Sequence, residues 1–252
     1  NVSVDQPTIA GETPLYIASY FGHAEIVKML LDHNASVDQP MNDGRTPLYI
    51  ASQEGHAEVV DMLINHMRTH FTEEKRDADV NHSSNIGKNA LYIACQKGHA
   101  NVVKILLQHN ANVDQPMYDG STPLWIASQK GHAEIVQILL DHKANTSKTQ
   151  EGTTPLQIAT KNGHDVIANM IQKAISADIL EQLDNMLNPI IEVDMVSLFE
   201  FIITHSIELK QADKLDLKNE IITRCKVIKE RYTCAWTRPI AVSYGKVLKA
   251  II

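Results

Sequence analysis

The word Thr13-Pro14-Leu15-Tyr16-Ile17-Ala18-Ser19 returns in register at Thr46, Asn89, Thr122 and Thr154. A Gly-His pair follows every copy: Gly22-His23, Gly55-His56, Gly98-His99, Gly131-His132 and Gly163-His164. The starts lie 33, 43, 33 and 32 residues apart. A period near 33 predicts a stacked array of short helical pairs. Each unit of such an array is buried only by its neighbours. The functional question therefore concerns surfaces before it concerns chemistry.

One unit shows why the words recur. Thr46 supplies an N-cap oxygen, and Pro47 takes the first helical position, where its missing N–H costs nothing. Leu48, Ile50 and Ala51 form the buried side of a short helix, which Gly55 ends in the left-handed conformation. His56 opens a second helix with the buried stripe Val59, Val60, Leu63 and Ile64. About seven buried apolar side chains, at roughly 1.5–3 kcal/mol each, do not offset the ordering entropy of one unit. A lone unit is therefore not expected to fold.

The joins between units also have a signature. Asn34 and Asn110 end two of the second helices, and Asn tolerates the left-handed exit best after Gly. The stretch Val-Asp-Gln-Pro and the pairs Asp43-Gly44 and Asp119-Gly120 predict a projecting β-hairpin. In the third unit Asn89-Ala90 replaces Thr-Pro, and Asn89 still offers a cap. Met67 to Arg76 is a ten-residue insertion; Leu63, Met67 and Phe71 lie four apart, so the second helix is expected to run on, with a protruding loop as the other reading. The opening Val2-Ser3-Val4-Asp5-Gln6-Pro7 echoes Ser36-Val37-Asp38-Gln39-Pro40, which leads us to expect a further repeat upstream.

These residues resemble the ankyrin repeat over about residues 2–173. The resemblance implies an all-α solenoid of helix-turn-helix units with β-hairpin loops, made of a partial N-terminal repeat and five full units. Tyr16, Tyr49, Tyr92, Trp125 and Gln157 stand where that family usually has His, which puts its local histidine hydrogen bonds in doubt. The resemblance further implies a concave face, built from the first helices and hairpin tips, on which partner proteins dock. Mapped by register, the helices contribute Tyr20 and Phe21, Gln53 and Glu54, Gln96 and Lys97, Gln129 and Lys130, then Lys161 and Asn162. The tips contribute Met41, Asn42, Asp43, Arg45, Asn85, Lys88, Met117, Tyr118, Asp119 and Ser121. They vary between units while the framework stays fixed, as a surface of a few distinct anchors requires.

Other function classes find little support. A net charge of −7 argues against a general nucleic-acid binder. No apolar stretch reaches the roughly 20 residues of a membrane span. Cys95, Cys225 and Cys234 lack ligand-like spacing, which fits a reducing, intracellular setting. Of the twelve histidines, His23, His56, His99, His132 and His164 fill the Gly-His slot, and His33, His66, His109 and His142 fall at second-helix ends beside the dipole. That leaves His70, His82 and His205, and no metal site or cofactor is expected. No phosphate loop, His-Glu-x-x-His or Gly-x-Ser-x-Gly occurs. Cys225 with His205 makes a poor nucleophile and base, because Cys225 lies on the apolar stripe Leu217, Ile221, Ile228, Tyr232.

Residues 174–252 carry no repeat words and read as a small bundle of helices at about 175–187, 190–209, 213–234 and 239–252. From Ala174 to Glu220 there are 3 basic and 10 acidic residues; from Ile221 to Ile252 there are 7 basic and 1 acidic. The segment is expected to cap the array, and Arg224, Lys226, Lys229, Arg231 and Arg238 suit an acidic partner. Together these features suggest a non-enzymatic, intracellular interaction scaffold. The alternative is an adaptor or pathogen-delivered effector, acting in host cytosol, whose array selects a target while the tail recruits other machinery.

Overall fold

The computed structural model describes residues 3–147 and 150–187, together with Thr223. By contacts the chain divides into two compact units, Asn1–Ile171 and Gln172–Ile252. The elements begin with the pair α1 (Pro14–Phe21) and α2 (Ala24–Asp32), then α3 (Pro47–Glu54) and α4 (Ala57–His70). An additional helix, α5 (Glu73–Val80), precedes α6 (Ala90–Lys97) and α7 (Ala100–Gln108). The pair α8 (Pro123–Lys130) and α9 (Ala133–Asp141) follows, then α10 (Pro155–Lys161) and α11 (Asp165–Leu187).

The first helices α1, α3, α6, α8 and α10 form one row, and the second helices α2, α4, α7 and α9 form another. Packing is denser along the first row, where the small, fully buried Ala51, Ala94, Ala127 and Ala159 let backbones approach. Closer spacing on one side bends the stack toward it, so the first helices line the inner side. The spine between the rows consists of columns: Leu15, Leu48, Leu91 and Leu124, then Leu63, Leu106 and Leu139, all at most 1% exposed.

Every first helix is capped by a side chain. Thr13, Thr46, Thr122 and Thr154 accept from the N–H three residues on, at 3.1–3.2 Å. Asn89 does the same for Tyr92 at 2.7 Å, so the departure from Thr-Pro leaves the cap intact. The helices α1, α3, α6 and α8 end on left-handed glycines, Gly22, Gly55, Gly98 and Gly131.

The histidine after that glycine joins neighbouring units. Its ring lies over the glycine of the preceding unit: a Cβ on Gly55 would sit 2.6 Å from His99 Nδ1. Its Nε2 donates to a carbonyl there: His56 to Tyr20 (3.0 Å), His99 to Gln53 (2.9 Å), His132 to Gln96 (3.4 Å) and His164 to Gln129 (3.3 Å). A carbonyl oxygen only accepts, so each bond needs the proton on Nε2.

Second helices end according to the residue in one slot. Asn34, Asn110 and Lys143 adopt φ of 59°, 62° and 60° there, and α2, α7 and α9 stop. In the second unit that slot holds Met67, 1% exposed and packed into the spine, and α4 continues to His70. In the fifth unit it holds Ile175, whose branched Cβ disfavours the left-handed turn. The helix α11 accordingly runs unbroken to Leu187, and the separate helix anticipated at about 175–187 is its second half.

The second helix runs on into the ten-residue insertion, as anticipated, but only as far as His70. The helix α4 gains only its last turn from it, and after Phe71 a new N-cap, Thr72, starts α5. Asp5, Asn81 and Asp114 each accept a backbone N–H from the next unit, at 2.7–2.9 Å. Asp38 fills their slot in the second unit, where α5 now uses that backbone N–H internally. Lys75 of α5 takes over, bridging Asp38 and Asp79. Burial raises the Asp38 carboxyl, but the Lys75 bond and charge outweigh it and hold the group low.

The projecting hairpins shrink to tight turns, and no strand forms among the described residues. Each turn closes on one or two backbone bonds, such as Met41 N–H to Arg45 O (2.8 Å) and Gly44 N–H to Met41 O (2.9 Å). The only rung of β-bridge type among the described residues joins Gln150 and Thr153. The helices anticipated at 190–209, 213–234 and 239–252, with Arg224, Lys226, Lys229, Arg231 and Arg238, lie outside the described residues apart from Thr223.

Candidate partner-binding face

The inner side is built on a column of large side chains at the fourth position of each word. Tyr92 Oη and Ser121 Oγ share a hydrogen bond of 3.0 Å, and Trp125 Nε1 donates to Thr153 O at 3.0 Å. Each thus reaches the turn of the following unit. Burial pushes the Tyr16 phenol up to about 12, with the Arg45 guanidinium pulling the other way. Gln157 instead closes a capping box, its Oε1 accepting from Thr154 N–H at 2.9 Å. Sequence register marked these positions as departures; the structure makes four of them the floor of the face.

The turn tips stack directly. Asn42 Nδ2 donates to Ile9 O (3.0 Å), and Asn85 Nδ2 to Asn42 O (3.2 Å). The backbone N–H groups of Asn42 and Asn85 bond across the same joins, to Ala10 O and Asp43 O. Tyr118 holds this slot in the fourth unit and lays its ring over Gly87, while remaining 78% exposed. Asn42 and Asn85 thus splice tips together, whereas Tyr118 leaves its ring available.

The remaining candidates separate by what they touch. Tyr20 and Phe21 meet edge to face at 4.9 Å and continue an exposed apolar flank with Ile17 and Ile26. Asp43 and Arg45 neutralise each other at 2.7 Å, and Gln53 Nε2 donates to Glu54 Oε1 at 2.7 Å. Ser121 is a correction: it is 0% exposed, bonded to Tyr92 and donating to Asp119 at 2.6 Å, and so holds the turn together from inside. Asp119 accepts from the Ser121 N–H and hydroxyl and from Gln150 Nε2. Burial raises its carboxyl, and these bonds outweigh that and hold it low.

Met41 and Met117 are half-buried at their tips, while Gln96 and Gln129 line the helix edge beside exposed Lys97, Lys130 and Lys161. Lys88 is half-buried, donating to Gln96 Oε1 at 3.0 Å with its ammonium 5.9 Å from the Tyr92 ring centre. Asn162 donates to Gln129 O at 2.9 Å. The register passed over Ile86, 56% exposed on the third tip. Its alignment with Asp43 and Asp119 was the signal that an apolar side chain stands where others are acidic.

No group of three or more His, Cys, Asp or Glu is placed to hold a metal ion among the described residues. Cys95 is fully buried and burial pushes its thiol up, which suppresses the reactive thiolate. His33 and His142 cap α2 and α9, each donating from Nδ1 at 2.8 Å to a carbonyl of its own helix. His66 departs from this pattern: α4 runs past it, and its ring stacks on His70 at 4.0 Å. Among the described residues no helix is long and apolar enough to cross a membrane.

Comparison with curated proteins gave no match. The family model described as ankyrin repeats, in three copies, matches residues 1–75, 69–149 and 110–182. Proteins of this kind are in general protein–protein interaction modules and typically non-enzymatic. With matched residues running from 1 to 182 of 252, and with helix pairs joined glycine to histidine in register, this chain belongs to the ankyrin-repeat family.

Proposed function

We propose that the chain is a non-enzymatic scaffold that grips a partner protein on the inner side of its array, within the cell. The observation that carries this reading is the division of labour inside each unit. Residues in the joins repeat and are saturated by one another. Residues beside them on the inner side change along the array, with Tyr20, Gln53, Gln96, Gln129 and Lys161 in one slot and Phe21, Glu54, Lys97 and Lys130 in the next, and Lys97, Lys130 and Tyr118 are exposed. A rigid curved frame holding distinct side chains pre-pays the ordering cost of an interface.

Replacing Gln53, Gln96, Gln129 and Tyr118 together by Ala tests it. The expected result is loss of partner capture by the full chain with the melting temperature nearly unchanged. Undiminished capture overturns the reading.

A further inference from the structure

The inner side is not electrostatically uniform. In the first two units its charges are spent internally, Asp43 on Arg45 and Glu54 on the Gln53 amide. From the third unit on the pattern reverses. Lys97 and Lys130 occupy the same register slot as Glu54, and Lys88 stands beside them at the base of the third turn. Among the described residues none of these three ammonium groups has a carboxylate within ion-pairing distance. Elsewhere two lysines are paired: Lys75 of α5 with Asp38 and Asp79, and Lys104 of α7 with Glu134 at 2.8 Å.

Composition does not account for this. The chain has 30 acidic and 23 basic side chains, so a strip of unpaired lysines runs against the average. Burial, with the charges of Lys97 and Lys130, holds the Lys88 ammonium below the usual lysine range, and Asp119 pulls the other way. Asp119 is the nearby carboxylate, and its oxygens are engaged by the neutral donors Ser121 and Gln150. Like charges gathered beside apolar walls repel one another and focus a positive potential. An anion laid along them relieves that repulsion. Apolar contacts adjoin the strip: Tyr118 over Gly87, and Ile86 beside it, 78% and 56% exposed.

We infer that the inner side of the third and fourth units takes an extended acidic peptide segment, its carboxylates on Lys88, Lys97 and Lys130 and an apolar side chain against Tyr118 and Ile86. The inference rests on the inner side being the partner-binding face and names the chemistry of what binds there. An extended segment fits because Lys97 and Lys130 belong to successive units, with Lys88 on the turn of the first of these, so one chain crossing the helices meets them in turn. A backbone of phosphates shares the charge but not the need for the apolar step at Tyr118.

The test uses the full chain and a fluorescein-labelled peptide of alternating Glu and Ser with a central Leu, followed by fluorescence anisotropy. Binding is expected at low salt and should weaken as salt rises. Lys97→Gln with Lys130→Gln should weaken it on the order of tenfold. Tyr118→Ala should weaken it severalfold, and the outer-side control Lys104→Gln should leave it unchanged. Circular dichroism melting checks that each variant is folded. Equal binding of a Gln and Ser peptide, an equal loss in Lys104→Gln, or tighter binding of a single-stranded oligonucleotide of the same charge overturns the inference. If the double lysine variant still captures the cellular partner while the Gln53, Gln96, Gln129, Tyr118 variant does not, the acidic-segment inference falls and the inner-side reading stands. Capture that survives both sets of changes sinks both.

Discussion

In the joins between units the same atoms meet four times: a left-handed glycine, an imidazole over it, and Nε2 on a carbonyl of the unit before. Across the inner side the same register slots hold Phe21, Glu54, Lys97, Lys130 and Asn162. The two regions are separated by a single residue along the chain, yet one is uniform and the other is not. The difference follows from what each position touches. A join residue meets a copy of its own surroundings, so one solution serves all units. An inner-side residue has no such fixed counterpart: Glu54 accepts from Gln53 and Asn162 donates to Gln129 O, while Phe21, Lys97 and Lys130 are exposed.

The sharpest way to break this contrast is to alter the same join slot where a neighbour covers it and where none among the described residues does. Gly55→Ala forces a Cβ into left-handed backbone and onto the His99 ring. It should destabilise the array by at least about 2 kcal/mol. Gly163 has φ +74° and nothing within 4 Å of its added Cβ among the described residues, so Gly163→Ala should cost only the backbone strain, about 1 kcal/mol. Equal losses in urea titrations would show that the ring contact contributes nothing.

A smaller effect of opposite sign is expected at the buried serine column. Among the described residues Ser52 Oγ has no partner, whereas Ser128 Oγ donates to Leu124 O at 2.7 Å, and Cys95 fills the same slot. Ser52→Ala should therefore leave stability unchanged or raise it by about 1 kcal/mol, and Ser128→Ala should lower it by a similar amount. Identical responses would mean that the slot is blind to its hydrogen bond.

The smallest effect separates His66 from the histidines that end helices. Burial, and then the charge of His70, hold the His66 imidazole below its ordinary range, with Asp32 opposing. A depressed folded-state value means that the unfolded chain binds the proton first. Stability contributed at neutral pH is therefore lost as pH falls below about 6.5. Denaturant midpoints at neutral and mildly acid pH should differ less in His66→Gln than in the parent chain. An unaltered pH dependence removes His66 from the account.

Most of the framework was legible because short-range rules decide it. Thr or Asn before the helix, Gly after it and the leucine columns each act through neighbours a turn away or through an identical unit. The extent of the second helices was less legible, since the slot holding Met67 or Ile175 was not recognised as the place where a left-handed exit is refused. The insertion showed why spacing alone misleads: Phe71 continues the apolar period, yet Thr72 caps a new helix there. On the inner side the register placed the side chains but not their partners. Ser121 looked available because its burial comes from Tyr92 in the unit before, and Ile86 was passed over because its aligned residues are acidic.

The bond from His99 to Gln53 links residues 46 apart, where its counterparts link residues 35 or 36 apart, and its length is the same as theirs or shorter. The pitch of the array is thus set by side chains acting as spacers and not by the amount of chain between them. Surplus chain at the junction of α4 and α5 is taken up without stretching the ruler on which the lysines and glutamines are spaced. That junction is a natural splice point, where length can be gained or lost while the grip keeps its gauge.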